Sequence, residues 1–190
     1  MNFSELKQGI LDCRYCKDKF GFEPNPIFWG NESAKIVHIS QAPSQNVHNT
    51  SKPFNDLSGK RLRKWYGVSE DQFYNQDLFY ITAIAHCFPG KAKNGGDLKP
   101  PIECAQRWLL KEISIIDNDL YLIVGREAAS FLFQGEDYIN LIFSNQKLNH
   151  KPAFVLPHPS PANAKWFKDN PQFLEKRVLE IRESVQKVLP

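Results

Sequence analysis

The sequence lacks any long apolar run. Its most hydrophobic stretches, Leu120–Val124 and Ala153–Leu156, fall far short of the roughly 18 residues that a membrane-crossing helix needs. Net charge is also small: 24 Lys and Arg against 21 Asp and Glu leave +3. Bulk electrostatics therefore names no partner, and only a local cluster of cations would mark a polyanion surface. Internal repeats, low-complexity tracts and linker-like segments are missing. With 42% hydrophobic and 24% charged residues, the composition excludes wholesale disorder, collagen-like repeats and a coiled-coil rod. Residues Met1–Lys7 show no basic stretch leading into an apolar one, so no secretory signal is read and a cytoplasmic location is expected. Cysteine is scarce, at four residues. In a reducing compartment disulfides are not expected, although four cysteines allow three pairings, and metal ligation and simple burial remain as the competing readings.

What is present fits one domain over residues 1–190, within the usual single-domain range. Four short runs rich in branched and aromatic residues, Lys35–Ser40, Leu78–Ala85, Leu120–Val124 and Ala153–Leu156, predict buried strands. Helical patterns lie between them, and that alternation predicts a parallel sheet wrapped by helices. A first helix is expected from Phe3 to Cys16, opened by an Asn2/Glu5 capping box. Shorter helices are expected at Ser58–Tyr66, Glu70–Tyr74 and Arg126–Phe133. Pro100 and Pro101 introduce a helix with Ile102, Ala105, Leu109 and Ile113 inward. A last helix is expected from the Asn170 cap and Pro171, with Leu174, Val178, Ile181, Val185 and Val188 on one face.

Open parallel sheets bind ligands beyond the carboxyl ends of their strands, which directs attention to two loops. After the fourth strand, Pro157-His158-Pro159-Ser160-Pro161 holds one histidine and one serine among three prolines that fix φ. Such a histidine can donate a hydrogen bond to charge developing on a leaving group; the same residues also read as a stiff surface turn. After the first strand comes Ser40-Gln41-Ala42-Pro43-Ser44, then Lys52-Pro53-Phe54. Small residues let backbone N–H groups approach a ligand and Phe54 can stack on a flat ring; a plug for the core is its other reading.

Strand one followed by Gln-Ala-Pro-Ser, then Lys-Pro-Phe, with His-Pro-Ser-Pro after the last strand, resembles the uracil-DNA glycosylase superfamily over nearly the whole chain. Cys13 and Cys16 form C-x2-C, and Cys87 and Cys104 follow, a pattern similar to that of the iron–sulfur, family 4-like branch. The resemblance implies a three-layer α/β/α sandwich with a central four-stranded parallel sheet. It implies a monofunctional hydrolase that excises uracil, or another deaminated base, from DNA, acting as a monomer. Cys13, Cys16, Cys87 and Cys104 would hold a 4Fe-4S cluster, with a structural zinc as the chemical runner-up. The base would leave the stack, rest on Phe54, and meet backbone amides near Gln41 and Ala42. Pro43, Ala83 and Ser160 complete the binding set, and His158 would stabilise the departing anion.

The sequence also departs from that pattern. Gln41 stands where the iron–sulfur enzymes carry an acid, and an amide positions water without taking its proton. Ala83 stands where they carry an asparagine that reads the base edge, which weakens discrimination and leaves open a preference for hypoxanthine. Asp56 is a candidate substitute base or, equally, a helix cap. Ala162 replaces the leucine that fills the duplex in better-known relatives, so either Trp166 or Phe167 takes over, as wedges or as packing anchors, or the DNA is single-stranded or mispaired. The loop beyond Cys87 has no histidine, so no covalent trapping of DNA is expected. Lys60, Arg61, Arg63 and Lys64 read either as phosphate contacts or as a solvated helix face. The non-catalytic alternative is a module that binds a damaged base in the same pocket.

Overall fold

A computed structural model describes residues 1–93 and 95–190; Asn94, inside the Gly/Lys-rich loop expected between Phe88 and Lys99, lies outside the described residues. The first helix, α1 (Phe3–Leu11), opens with the Asn2/Glu5 capping box and buries Leu6 and Ile10. It ends earlier than expected. Arg14 folds back to donate to the carbonyls of Leu11 and Cys13 at 2.9 and 3.0 Å, which satisfies the frayed end of the helix and turns the chain before the short α2 (Lys17–Phe20). Cys13 therefore sits in a turn and Cys16 at the cap of α2.

The sheet has five strands, a correction to the expected four. Strands β1 (Ile36–Ser40), β2 (Phe79–Ala83), β3 (Leu120–Val124) and β5 (Lys151–Leu156) are parallel, and β4 (Gln146–Leu148) joins antiparallel to β5 at one edge. The order is β2-β1-β3-β5-β4. The β4–β5 hairpin turns on Asn149 and His150 at φ 48° and 64°, the paired positive φ values of a two-residue turn that matches strand twist. Pro152, in β5, faces Lys147 of the edge strand, where a missing N–H is tolerated. The chain leaves β1 first toward β2 on one side and then returns to β3 on the other, so the crevice at the carboxyl end of β1 is the topological switch point.

Helices flank the sheet. Between β1 and β2 run α3 (Gln45–Thr50), α4 (Leu57–Tyr66) and α5 (Glu70–Tyr74). The helix over residues 102–115 contains a π-helical stretch, Ala105–Leu109. Ala105, Leu109 and Ile113 are buried as expected, but Ile102 is exposed because the first turn projects past the core. The C-terminal helix Val178–Val188 follows a second π-helical stretch, Phe173–Arg177, and packs on α4. Counting back four residues from Val178 selects Leu174, yet Phe173 is the buried residue and Leu174 is exposed. The wider π turn adds one residue and shifts the inward face accordingly. Arg126–Leu132, Tyr138–Phe143 and Ala164–Asp169, with a 3₁₀ helix at Pro161–Asn163, complete the helices among the described residues. None of the described helices is long and apolar enough to cross a membrane.

Candidate active site

The carboxyl ends of β1, β2 and β5 open onto a cavity of about 440 Å³. Gln41, Ala42 and Pro43 line it from β1, Ala83 from β2, Phe54 and Asp56 from the entry to α4, and His158 and Ser160 from the loop after β5. The eight catalytic and binding residues expected from sequence thus share one wall system, although they span most of the chain.

The His158 loop is pinned at three points. Its carbonyl accepts from Asn163 Nδ2 at 2.8 Å, Arg61 of α4 donates to the Pro159 carbonyl at 2.7 Å, and Ser160 Oγ accepts from the Ala162 N–H at 3.2 Å. The Ser160 N–H donates to His158 Nδ1 at 3.2 Å, which assigns the ring proton to Nε2. Burial pulls the imidazole below its ordinary value, while the charges of Asp56 and Asp97 oppose that pull. The result is a neutral donor aimed from a fixed loop.

Phe54 is a non-glycine residue in the left-handed region, at φ 53°, a conformation that persists only where its surroundings enforce it. Gly59 is part of that enforcement. A Cβ there would lie 1.7 Å from the Phe54 carbonyl oxygen, so only glycine lets α4 approach so closely. Beneath Phe54, the His38 ring meets it edge to face at 4.8 Å. His38 is fully buried, neither ring nitrogen has a hydrogen-bond partner among the described residues, and burial holds its pKa down to about 3. Phe54 accordingly lines the cavity and packs on the core at once. Asp56 is the cap of α4, its Oδ1 accepting from the Gly59 N–H at 3.0 Å, and it also lines the cavity.

Other expectations separate. Trp166 stacks on Phe143 and Phe167 packs against Trp65, which makes both of them packing anchors. Arg61 is committed to Pro159, and Arg63 contacts the Phe54 carbonyl and Glu70; Lys60 and Lys64 remain exposed. Asp97 was not singled out from sequence. It lines the cavity and pairs with Lys91 at 2.6 Å, and its surroundings in a Gly/Lys-rich loop give no signal of that.

Cys13, Cys16, Cys87 and Cys104 line a separate small cavity behind the first, and Ala85 and His86 form the wall common to both. All four are free thiols. Burial pushes Cys104 up to about 12 and raises Cys87 further, and neighbouring cysteines add to both shifts. Two of the four cysteines, Cys16 and Cys87, are buried and the other two are partly exposed, and Cys87 lies within electrostatic reach of the other three. The described residues contain no group of three or more His, Cys, Asp or Glu side chains arranged about one metal ion. The His86 N–H donates to Cys104 Sγ at 3.4 Å. The His86 ring meets Glu112 at 3.0 Å and the Ile27 carbonyl at 2.9 Å, while Tyr80 and Thr82 donate to the same carboxylate at 2.7 and 2.9 Å. Burial alone would lower the His86 pKa, but Glu112 outweighs it and raises it.

Comparison with known proteins agrees with this arrangement. The family model described as the uracil DNA glycosylase superfamily matches residues 27–182. A type-4 uracil-DNA glycosylase of Sulfurisphaera tokodaii is 24% identical over 96% of this chain and 84% of its own length. A type-4 enzyme of Archaeoglobus fulgidus is 28% identical over 70% of this chain and 64% of its own length. One of Saccharolobus solfataricus is 26% identical over 70% and 60%. The match runs through the three strands whose ends build the cavity and through His158, and on that ground the chain belongs to the uracil DNA glycosylase superfamily.

Proposed function

We propose that this protein is a DNA glycosylase that hydrolyses the N-glycosidic bond of uracil, or of another deaminated base, in DNA. The observation that carries the reading is His158, which lines the same cavity as Phe54, Gln41 and Ala42 and whose Nδ1 accepts from the Ser160 N–H, leaving the ring proton on Nε2. A nucleotide drawn from the stack would lay its base on Phe54, with its carbonyl oxygen toward the amides near Gln41 and Ala42. As the C1′–N bond breaks, its electron pair passes to the base, and the Nε2–H of His158 donates to the oxygen that gathers this charge. Water then adds to C1′. Gln41 orients that water, and Asp56, whose second oxygen is free of the cap, accepts its proton. Pro43 and Ser160 shape the walls, and Ala83 leaves the base edge without a side-chain reader.

That all four cysteines line one small cavity supports a 4Fe-4S cluster, which Cys13, Cys16, Cys87 and Cys104 would hold. Its contribution is structural, fastening the turn after α1 to the end of β2 and to the 102–115 helix. A zinc ion on the same thiolates is the second reading.

The test is alkali-dependent cleavage of labelled oligonucleotides bearing uracil or hypoxanthine, single- and double-stranded. Wild type is expected to release base, and His158→Ala to be slower by about 100-fold. The alternative, a module that binds a damaged base without excising it, is favoured by the amide at Gln41 and by Ala83. Tight binding without release by cofactor-loaded protein would establish that alternative.

A further inference from the structure

Leu57 is 71% exposed, more than any other large apolar residue described. It occupies the first position of α4, between Asp56 and Ser58, and both of these line the cavity. The fold makes no use of a leucine there. Asp56 supplies the cap, and the inward face of α4 is built by Leu62, Trp65 and Tyr66. One turn further along, Arg61 falls on the same helix face as Leu57, and that guanidinium reaches the Pro159 carbonyl. Leu57 thus stands on the side of α4 that meets the His158 loop, at the rim of the cavity. Across the rim, Ala162 is too short to project, and Trp166 and Phe167 are spent on packing. Lys60 and Lys64, exposed on the same helix and without an ion pair among the described residues, supply cations for the phosphates on either side.

We propose that Leu57 enters the base stack of duplex DNA and fills the gap left by the nucleotide withdrawn into the cavity. A nucleotide that leaves a duplex exposes two stacked faces, and an apolar side chain wedged between them offsets the lost stacking. The inference rests on the reading of the cavity as a pocket for a flipped base. A single strand has no such gap, so the signature of Leu57 is the ratio of double- to single-strand cleavage.

The test compares wild type, Leu57→Ala, Leu57→Phe, Leu98→Ala and Leu179→Ala on uracil oligonucleotides in both strand states. A parallel set of duplexes carries the fluorescent base 2-aminopurine opposite the uracil. Leu57→Ala is expected to lower the ratio about tenfold or more and to reduce the fluorescence rise on binding, and Leu57→Phe to recover part of both. Leu179, exposed on the C-terminal helix with no cavity-lining residue beside it in the chain, leaves the ratio unchanged. An unaltered ratio and fluorescence in Leu57→Ala overturns the proposal, as does a loss confined to Leu98→Ala, which would move the wedge to the leucine beside Asp97. If wild type releases no base, the glycosylase reading fails, and the fluorescence arm still decides whether Leu57 enters the stack.

Discussion

Acid should destabilise this protein through His38. The ring is fully buried, packs against Phe54, Tyr66 and Phe73, and is held by burial at about 3, whereas the unfolded chain keeps the ordinary 6.5 or so. The folded value is depressed, so on acidification the unfolded state takes up the proton first. The stabilising contribution is intact above pH 6.5 and is lost as the pH falls toward 3. At about 1.4 kcal/mol per pH unit, the loss is about 2 kcal/mol between pH 6.5 and 5 and on the order of 5 kcal/mol over the whole interval. The assay is urea unfolding at pH 7.5 and 5.0 in reducing buffer, wild type against His38→Leu. Leucine has no proton to gain, so the variant should lose about 2 kcal/mol less than wild type over that window, whatever its absolute stability. Groups that do not interact with His38 titrate in both proteins and cancel in the difference. Superimposable pH dependences would refute the argument, and with it the picture of a dry, neutral imidazole beneath Phe54.

Three further outcomes follow from contacts around the two cavities. Gly59→Ala places a methyl against the Phe54 carbonyl; it should cost at least about 1–3 kcal/mol, read as a lower thermal midpoint, and slow base release by displacing Phe54. Glu112→Ala strands Tyr80, Thr82 and His86 without their common acceptor and should cost about 3–5 kcal/mol in chemical denaturation, with Glu112→Gln losing less because it retains a carbonyl acceptor. Protein purified anaerobically should absorb in the visible blue, and Cys87→Ser should abolish that band; a colourless protein that binds zinc would assign the thiolates to the other metal.

The strand cores were legible because burial on both faces forces short, continuous apolar runs, and Leu120–Val124 matches β3 end to end. The β4–β5 hairpin was not. Asn149-His150 lacks the glycine that usually betrays a two-residue turn, and the expected strand began only at Ala153, whereas β5 starts at Lys151 and includes Pro152. Helical faces were legible as far as the period held, and the π-helical stretch Phe173–Arg177 displaced the count by one residue, as Phe173 and Leu174 show. The site residues emerged from two loops because prolines and small residues at strand ends have few structural uses. Asp97 and His86 carried no such mark. Their roles depend on which elements lie across from them, and Glu112 is far from His86 in sequence although the two make a 3.0 Å contact.

The acids at the cavity and the burial of His158 act against each other, and the sign of the sum sets the chemistry. Burial wins: the imidazole lies below its ordinary value even with Asp56 and Asp97 raising it. At neutral pH it is therefore uncharged, and in the proposed reaction it would stabilise a departing base as a hydrogen-bond donor rather than as a cation. One preorganised donor of this kind is worth about 10²–10³ in rate, which matches the expected loss in His158→Ala. In the proposed reaction the two carboxylates would serve the other half of the charge separation, since the sugar becomes cationic as the base becomes anionic. A chain with glutamine at position 41 has no acid at the end of β1, and Asp56 and Asp97 are the carboxylates that line the cavity in its place. Because Asp56 is fixed as the cap of α4 and Asp97 is bound to Lys91, each carboxyl group is held at a set position before any substrate arrives. That is the condition under which a charge lowers a barrier without reorganising as the bond breaks.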